Sequence, residues 1–180
     1  MSNLTNISGG RELDELLKTL APNVQKKILR TALSAGARVI AKVAKQNAPV
    51  GPTSSTNEAI YGGYAGALKD SVRVTSGRDR TGMRYASVKA GGSRKGVDTY
   101  YIMFVEYGTR PHIIRPRGKK RLELGGHFVA GTVMHPGATG KPFMRPAADA
   151  AQGAAVAAFA AKVRERLTKE GLSAPAPVEE

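Results

Sequence analysis

The most apolar segment of the chain is YYIMFVEYGTRPHIIRP, residues Tyr100–Pro116. Gly108 and Pro111 stop the apolar run, because glycine suits a helix end and proline cannot continue a helix. A second distinctive stretch, HPGATGKPFMRP at His135–Pro146, follows after a basic segment. We expect the two stretches to clamp a small sheet to its helices, and the basic segment between them to contact a partner.

Residues 98–108 are predicted to form a short helix, in which Asp98 suits the N-cap position. Because the segment is apolar nearly all round, we expect burial on more than one side. A buried strand is the alternative, since a short apolar run does not distinguish the two. Glu106 lies near the end of this helix, where the dipole disfavours an acid. It is therefore predicted to pair, in a structural role, with a basic residue or with backbone donors.

Three further helices are indicated by apolar residues at helical spacing. They cover Arg11–Leu20, Asn23–Asn47 and Ala147 to about Lys169, the last one opened by Pro146. The second helix carries the small residues Ala35, Gly36 and Ala37, and the last helix is rich in alanine. These small residues predict that the two helices pack closely together.

Period-two alternation predicts an antiparallel hairpin of strands within Leu68–Thr75 and Arg84–Ala90, turning at Gly77–Gly82. One face of the hairpin does not accommodate all of Val72, Val74, Tyr85 and Val88 in perfect register, so we expect a bulge or a twist. Two more strands are predicted at His112–Pro116 and His127–Val133.

The predicted fold class is α+β: a small antiparallel sheet packed against a long N-terminal helix and a C-terminal helix, with a protruding basic β-hairpin at residues 110–141. The length of 180 residues suits a single domain over residues 1–170, followed by a flexible C-terminal tail at residues 171–180.

Positive charge is the dominant global property, with 28 Lys and Arg residues against 14 Asp and Glu residues. Such a charge favours a polyanionic partner. The candidate DNA- or partner-contacting loop comprises Arg110, Arg115, Arg117, Lys119, Lys120 and Arg121. A solvated hairpin tip is the alternative for this cluster. The chain lacks cysteine, and neither a signal peptide nor a membrane span is predicted.

Catalytic, cofactor and metal sites are not predicted. His112, His127 and His135 lie on predicted turns or strand ends, and two of them could meet across a hairpin, but their spacing is not typical of a metal site. Glu106 and Glu123 lie on different predicted elements. A small hydrolase that uses Glu106 is a remaining alternative without further support.

Two motifs carry a resemblance to a known family. The first is Phe104, Glu106, Tyr107, Gly108 and Thr109, and the second is Pro142, Phe143, Pro146 and Ala147 before a C-terminal helix. In this order, over roughly residues 10–170, they resemble the tail-completion or head–tail joining (neck) proteins of long-tailed bacteriophages, often described as minor tail components. Members with a short spacer between the motifs lack the basic hairpin found here.

The resemblance implies a structural virion protein rather than an enzyme. Such a protein forms a ring, most simply a hexamer, at the head–tail junction, completing the tail and joining it to the head connector. Its partners would be other neck, connector and tail-tube proteins, with DNA passing non-specifically through the lumen and no membrane involved. It would assemble in the host cytoplasm and reside in the virion. The motif residues would then be fold and interface elements. A sequence-independent nucleic-acid-binding protein is the alternative function.

Overall fold

The computed structural model describes residues 10–51, 64–94, 97–116, 121–124, 127–129 and 131–171. The helices are α1 (Gly10–Lys18), α2 (Pro22–Asn47), α3 (Ala67–Ser71), α4 (Ile102–Tyr107) and α5 (Met144–Lys169). The strands are β1 (Arg73–Arg78), β2 (Arg84–Lys89), β3 (Ser93–Arg94), β4 (Val97–Asp98), β5 (His112–Ile114), β6 (Leu122–Leu124), β7 (His127–Val129) and β8 (Val133–His135). The predicted α+β class is confirmed.

The chain divides into two compact units. Unit one takes its described residues from 10–47, 72–90 and 146–171, and unit two from 48–51, 64–71 and 91–145. The single domain over residues 1–170 stays a prediction, and the predicted tail lies almost wholly outside the described residues.

The three long predicted helices of the chain are confirmed as α1, α2 and α5, although α5 begins at Met144, two residues before Pro146. In unit one their apolar faces meet in a buried cluster. Its members are Leu17, Ile28, Ala32, Val163 and Leu167. Leu17 comes from α1, the next two from α2 and the last two from α5, so the apolar stripes read from the sequence form one core. Within the described part of the chain, no helix combines the length and the apolar character that crossing a membrane would need.

The predicted close packing of α2 on α5 is confirmed at Gly36. A Cβ atom placed on Gly36 would lie 2.8 Å from the backbone oxygen of Ala155 and 3.7 Å from the Cβ of Phe159. Real Cβ atoms do not approach backbone oxygens so closely, so only glycine permits this helix spacing.

The β1–β2 hairpin corrects two expectations. Residues 67–71 form the helix α3, so the first strand begins at Arg73 rather than at Leu68. The register runs without an extra residue from Arg73 opposite Lys89 to Arg78 opposite Arg84, so the predicted bulge is absent from this hairpin. Tyr85 lies on the other face from Val74 and is exposed, which removes the conflict that the bulge was meant to solve.

In unit two, the predicted hairpin between residues 110 and 141 consists of two antiparallel strand pairs. β5 pairs with β8, and β6 pairs with β7. The predicted strand His127–Val133 is interrupted because Gly131 has a φ of 102°, which breaks the extended backbone. Asp98 is not the N-cap of α4: it lies in β4, opposite Ser93, and Tyr101 occupies the cap position without a side-chain hydrogen bond.

Substituting Gly36 tests the close helix contact. Gly36→Ala should lower the free energy of unfolding by roughly 1–2 kcal/mol, because backbone overlap with Ala155 outweighs the better helix propensity of alanine. Gly153→Ala is the matched control: it also lies in a long helix, but its added Cβ meets no atom within 4 Å. That control should gain roughly 0.5–1 kcal/mol, and chemical denaturation of both variants measures the difference. Equal gains in the two variants would contradict the close contact.

Candidate interaction surface

The carboxylate of Glu106 holds the first turn of α5. Its Oε2 accepts hydrogen bonds from the backbone N–H groups of Phe143 (2.9 Å) and Met144 (3.2 Å), and its Oε1 accepts one from Arg145 (3.2 Å). Glu106 is itself buried. The predicted structural role of Glu106, pairing with backbone donors, is confirmed.

This arrangement accounts for the beginning of α5 completely. The first four N–H positions of a helix have no partner within the helix. Here Glu106 satisfies those of Phe143, Met144 and Arg145, and the fourth position is Pro146, which has no N–H. The Lys-Pro-Phe-Met-Arg-Pro stretch is therefore a helix start whose cap is supplied from 37 residues earlier in the sequence.

The ionised form of Glu106 is favoured at this position. Burial by itself would raise the pKa of this carboxyl, but the three backbone N–H donors and the charge of Arg145 outweigh burial and hold the pKa below its ordinary value. A negative charge at the N-terminal end of α5 also interacts favourably with the helix dipole.

Backbone contacts join the rest of the two motifs. Thr109 and Ala138 exchange N–H···O bonds of 2.9 and 3.1 Å, and the N–H of Lys141 donates to the carbonyl of Val105 at 2.7 Å. Gly108, the C-cap of α4, has a φ of 74° and a ψ of −174°, a conformation open almost only to glycine. An added Cβ there would also overlap the carbonyl oxygen of Ala138. The predicted glycine at this helix end is thus required twice over.

The predicted burial of the apolar segment on more than one side is wrong. The exposed fractions of the side chains are 59% for Tyr100, 58% for Met103, 53% for Phe104 and 68% for Tyr107. The rings of Tyr100 and Phe104 meet edge to face, with centroids 6.4 Å apart. We call these four residues the aromatic surface of α4. Glu106 is thus buried, whereas these four large apolar side chains are exposed. The reason is that Glu106 is the residue of this helix that contacts the start of α5.

The remaining motif residues divide between the core and the surface. Phe143 is 1% exposed and belongs to the core, whereas Pro142 and Pro146 are exposed. Of the basic loop, Arg110, Arg115 and Arg121 are exposed, and Arg117, Lys119 and Lys120 lie outside the described residues.

Two of the histidines meet, as the sequence suggested. His112 and His135 are register partners of β5 and β8, and their ring centroids lie 4.9 Å apart. The Nδ1 of His112 donates to the carbonyl of Arg110 at 2.9 Å, and the Nδ1 of His135 accepts from the N–H of Gly137 at 3.0 Å. Among the described residues, no group of three or more potential metal ligands comes together, and the side chain of His127 lies outside them.

Comparison with known families identifies the class of protein. The family model HK97-gp10_like, described as "Bacteriophage HK97-gp10, putative tail-component", matches residues 11–108. This match covers more than half of the chain, and the chain belongs to this family of structural phage tail components. It includes α1, α2, the β1–β2 hairpin and the first motif up to Gly108. Searches of curated proteins and of solved structures gave no match.

The exposure of the aromatic surface was not predicted from the sequence, although the spacing of its residues indicates one helix face. Tyr100, Met103, Phe104 and Tyr107 follow the i, i+3, i+4, i+7 pattern of a single helix face. Glu106 lies off that face, which indicates that one side of the helix has a different environment. Composition alone does not tell which of the two sides is the buried one.

Removing the charge of Glu106 tests the cap. Glu106→Gln should lower the free energy of unfolding by roughly 1–2 kcal/mol, because the amide keeps one acceptor but places an NH₂ group against a backbone donor. Chemical denaturation at neutral pH measures the loss. Glu170→Gln, an exposed acid at the other end of α5, is the control and should leave stability nearly unchanged. A neutral effect of Glu106→Gln would contradict the cap.

The pH dependence of stability tests the contribution of the Glu106 carboxylate separately. The pKa of Glu106 is lower in the folded chain than in the unfolded chain, so its contribution is fully present above the unfolded value of about 4.3. It is lost as the pH falls through the lowered folded pKa. The stability difference between wild type and Glu106→Gln should therefore be constant near neutral pH and shrink as the pH falls below about 4. Denaturation curves of both proteins at several pH values provide the measurement.

Proposed function

We propose that this phage tail component is a non-enzymatic neck protein that forms a ring, most simply a hexamer, at the head–tail junction. There it would complete the tail and join it to the head connector. The observation that carries this proposal is the aromatic surface of α4: within the region that matches the family, Tyr100, Met103, Phe104 and Tyr107 are exposed to solvent.

An exposed cluster of this kind suits contact between subunits. Aromatic residues and methionine are enriched at the cores of protein interfaces, and each aromatic side chain buries 150–250 Å² when covered. The occupant that we propose is a second copy of this chain, the neighbour in the ring. The buried motif residues Glu106 and Phe143, together with Gly108 at the helix end, would hold the helix that presents the surface, and Thr109, Pro142 and Pro146 would flank it.

Glu106 also favours a structural role over catalysis. Its two carboxylate oxygens are engaged by three backbone N–H groups. A general base needs a free oxygen directed at a substrate. We therefore assign this residue to the fold rather than to a hydrolase site.

The basic segment between the motifs has a place in the same proposal. Arg110, Arg115 and Arg121 are exposed. In a ring of six subunits, each with a formal charge of +14, they would contribute to a strong positive field around DNA in the lumen or against an acidic neighbouring ring. Other neck, connector and tail-tube proteins would be the remaining partners, met during assembly in the host cytoplasm and retained in the virion.

Ring formation is tested by the double substitution Phe104→Ser and Tyr107→Ser. Native mass spectrometry of the wild-type protein should show a closed oligomer, most simply a hexamer, and the variant should be monomeric because its apolar contact is lost. The matched control replaces Met83 and Tyr85 with serine, two exposed apolar residues at and beside the turn of the β1–β2 hairpin, and should assemble like the wild type.

Electron microscopy of virions tests the location. Density for this chain should form a ring between the head connector and the tail tube. A wild-type protein that stays monomeric and does not associate with connector or tail proteins would overturn the proposal, as would density at the distal tip of the tail.

A further inference from the structure

A basic groove lies within unit one. It has a volume of about 1150 Å³ and is bounded by α2, the β1–β2 hairpin and α5. Ten of its lining residues are Lys or Arg, and none is acidic.

One wall of the groove is a stripe along α2. Its cations are Lys26, Lys27, Arg30, Arg38, Lys42 and Lys45. All six side chains are exposed, and none forms an ion pair with a described residue. Lys26 and Arg30, like Arg38 and Lys42, are four residues apart on the same helix face, where like charges destabilise a helix. An anion along the stripe would remove that repulsion.

The other walls add cations from different parts of the chain. Arg73 and Arg84 come from the hairpin, and Lys162 and Arg166 come from α5. Lys162 is paired with Glu165 at 2.6 Å. The Nε atom of Arg166 is buried and has no hydrogen-bond partner among the described residues. A buried donor without a partner is costly, so an acceptor oxygen bound at this wall would stabilise Arg166.

The lining favours a phosphate backbone over an acidic protein surface. Protein interfaces have apolar cores rich in aromatic residues and poor in lysine. None of the described residues that line this groove is aromatic, and half of its cations are lysines. Its small hydroxyl side chains, Thr31, Ser34 and Ser76, are typical phosphate contacts beside lysine and arginine.

The same lining favours a duplex over a single strand. Proteins that hold single strands stack the bases on aromatic side chains, which the groove does not offer. The stripe from Lys26 to Lys45 covers 19 residues of α2, about 28 Å at 1.5 Å per residue. That length corresponds to about eight phosphates along one strand of a duplex.

We infer that this groove binds the sugar–phosphate backbone of double-stranded nucleic acid without reading its sequence. The stripe on α2 follows one strand, and Arg166 donates to a phosphate oxygen at the wall of the groove. The inference concerns unit one of a single chain, so it stands or falls independently of the ring proposed above.

The test measures the binding of labelled DNA duplexes of two unrelated sequences by fluorescence anisotropy at about 50–200 mM salt. The full-length wild-type protein should bind both duplexes equally, with affinity falling steeply as salt rises. The groove variant combines Arg30→Ala, Arg38→Ala and Lys42→Ala, substitutions that favour helix. It should lose at least about 30-fold in affinity near 100 mM salt, and its salt slope should fall by about 2.7, or 0.9 for each lost contact.

Two matched variants separate the groove from net charge. The loop variant combines Arg110→Ala, Arg115→Ala and Arg121→Ala, which remove the same charge from the basic loop. It should keep most of the affinity. The charge-retaining variant, Arg30→Lys with Arg38→Lys, should bind nearly as the wild type does. Circular dichroism of each variant verifies that α2 is intact.

Four results would overturn the inference. The first is undiminished binding by a folded groove variant, and the second is an equal loss in the loop variant. The third is preference of the wild type for a polyglutamate peptide over duplex DNA, which would assign the groove to an acidic protein partner. A preference for single-stranded DNA would likewise contradict the duplex backbone as the ligand.

Discussion

The contact between the Glu106 carboxylate and the first turn of α5 is the constraint on which unit two depends. It joins two motifs that lie 37 residues apart and removes every unsatisfied N–H from the helix start. It also explains why an acid occupies an otherwise apolar helix. Once Glu106 faces inwards, the opposite face of α4 must face outwards, and the aromatic surface follows from that geometry. The cap and the aromatic surface thus lie on two sides of one short helix.

Charge is divided between two places in this protein. The basic segment between the motifs is visible in the sequence as a run of cations. The groove in unit one is built from cations on α2, the hairpin and α5, which are separated by up to 140 residues, from Lys26 to Arg166. The ring proposed above would use the first in contacts with neighbouring rings, and the proposed duplex binding would use the second. The separation matters because a single net charge of +14 describes neither surface.

Much of the fold could be predicted, because it depends on local patterns. The long helices follow from apolar spacing, the β1–β2 hairpin from alternation around a turn, and the end of α4 from Gly108. The role of Glu106 was predictable as a paired acid, since the helix dipole disfavours it there. The errors have physical causes. Asp98 entered a strand pair instead of a cap, and the expected bulge vanished because Tyr85 turned towards solvent.

The sequence by itself determined the α+β class, the bounds of the three long helices to within a few residues, the two motifs that carry the family resemblance and the excess of positive charge. Each of these features depends on residues close together in the chain or on overall composition, and none depends on contacts between distant residues. The tertiary structure alone decided which side of α4 is buried, which donors Glu106 meets and which cations form a groove. Each of these depends on contacts between residues that are far apart in the chain. The periodicity of the sequence indicates that a helix has two different faces, but it does not indicate what packs against either face.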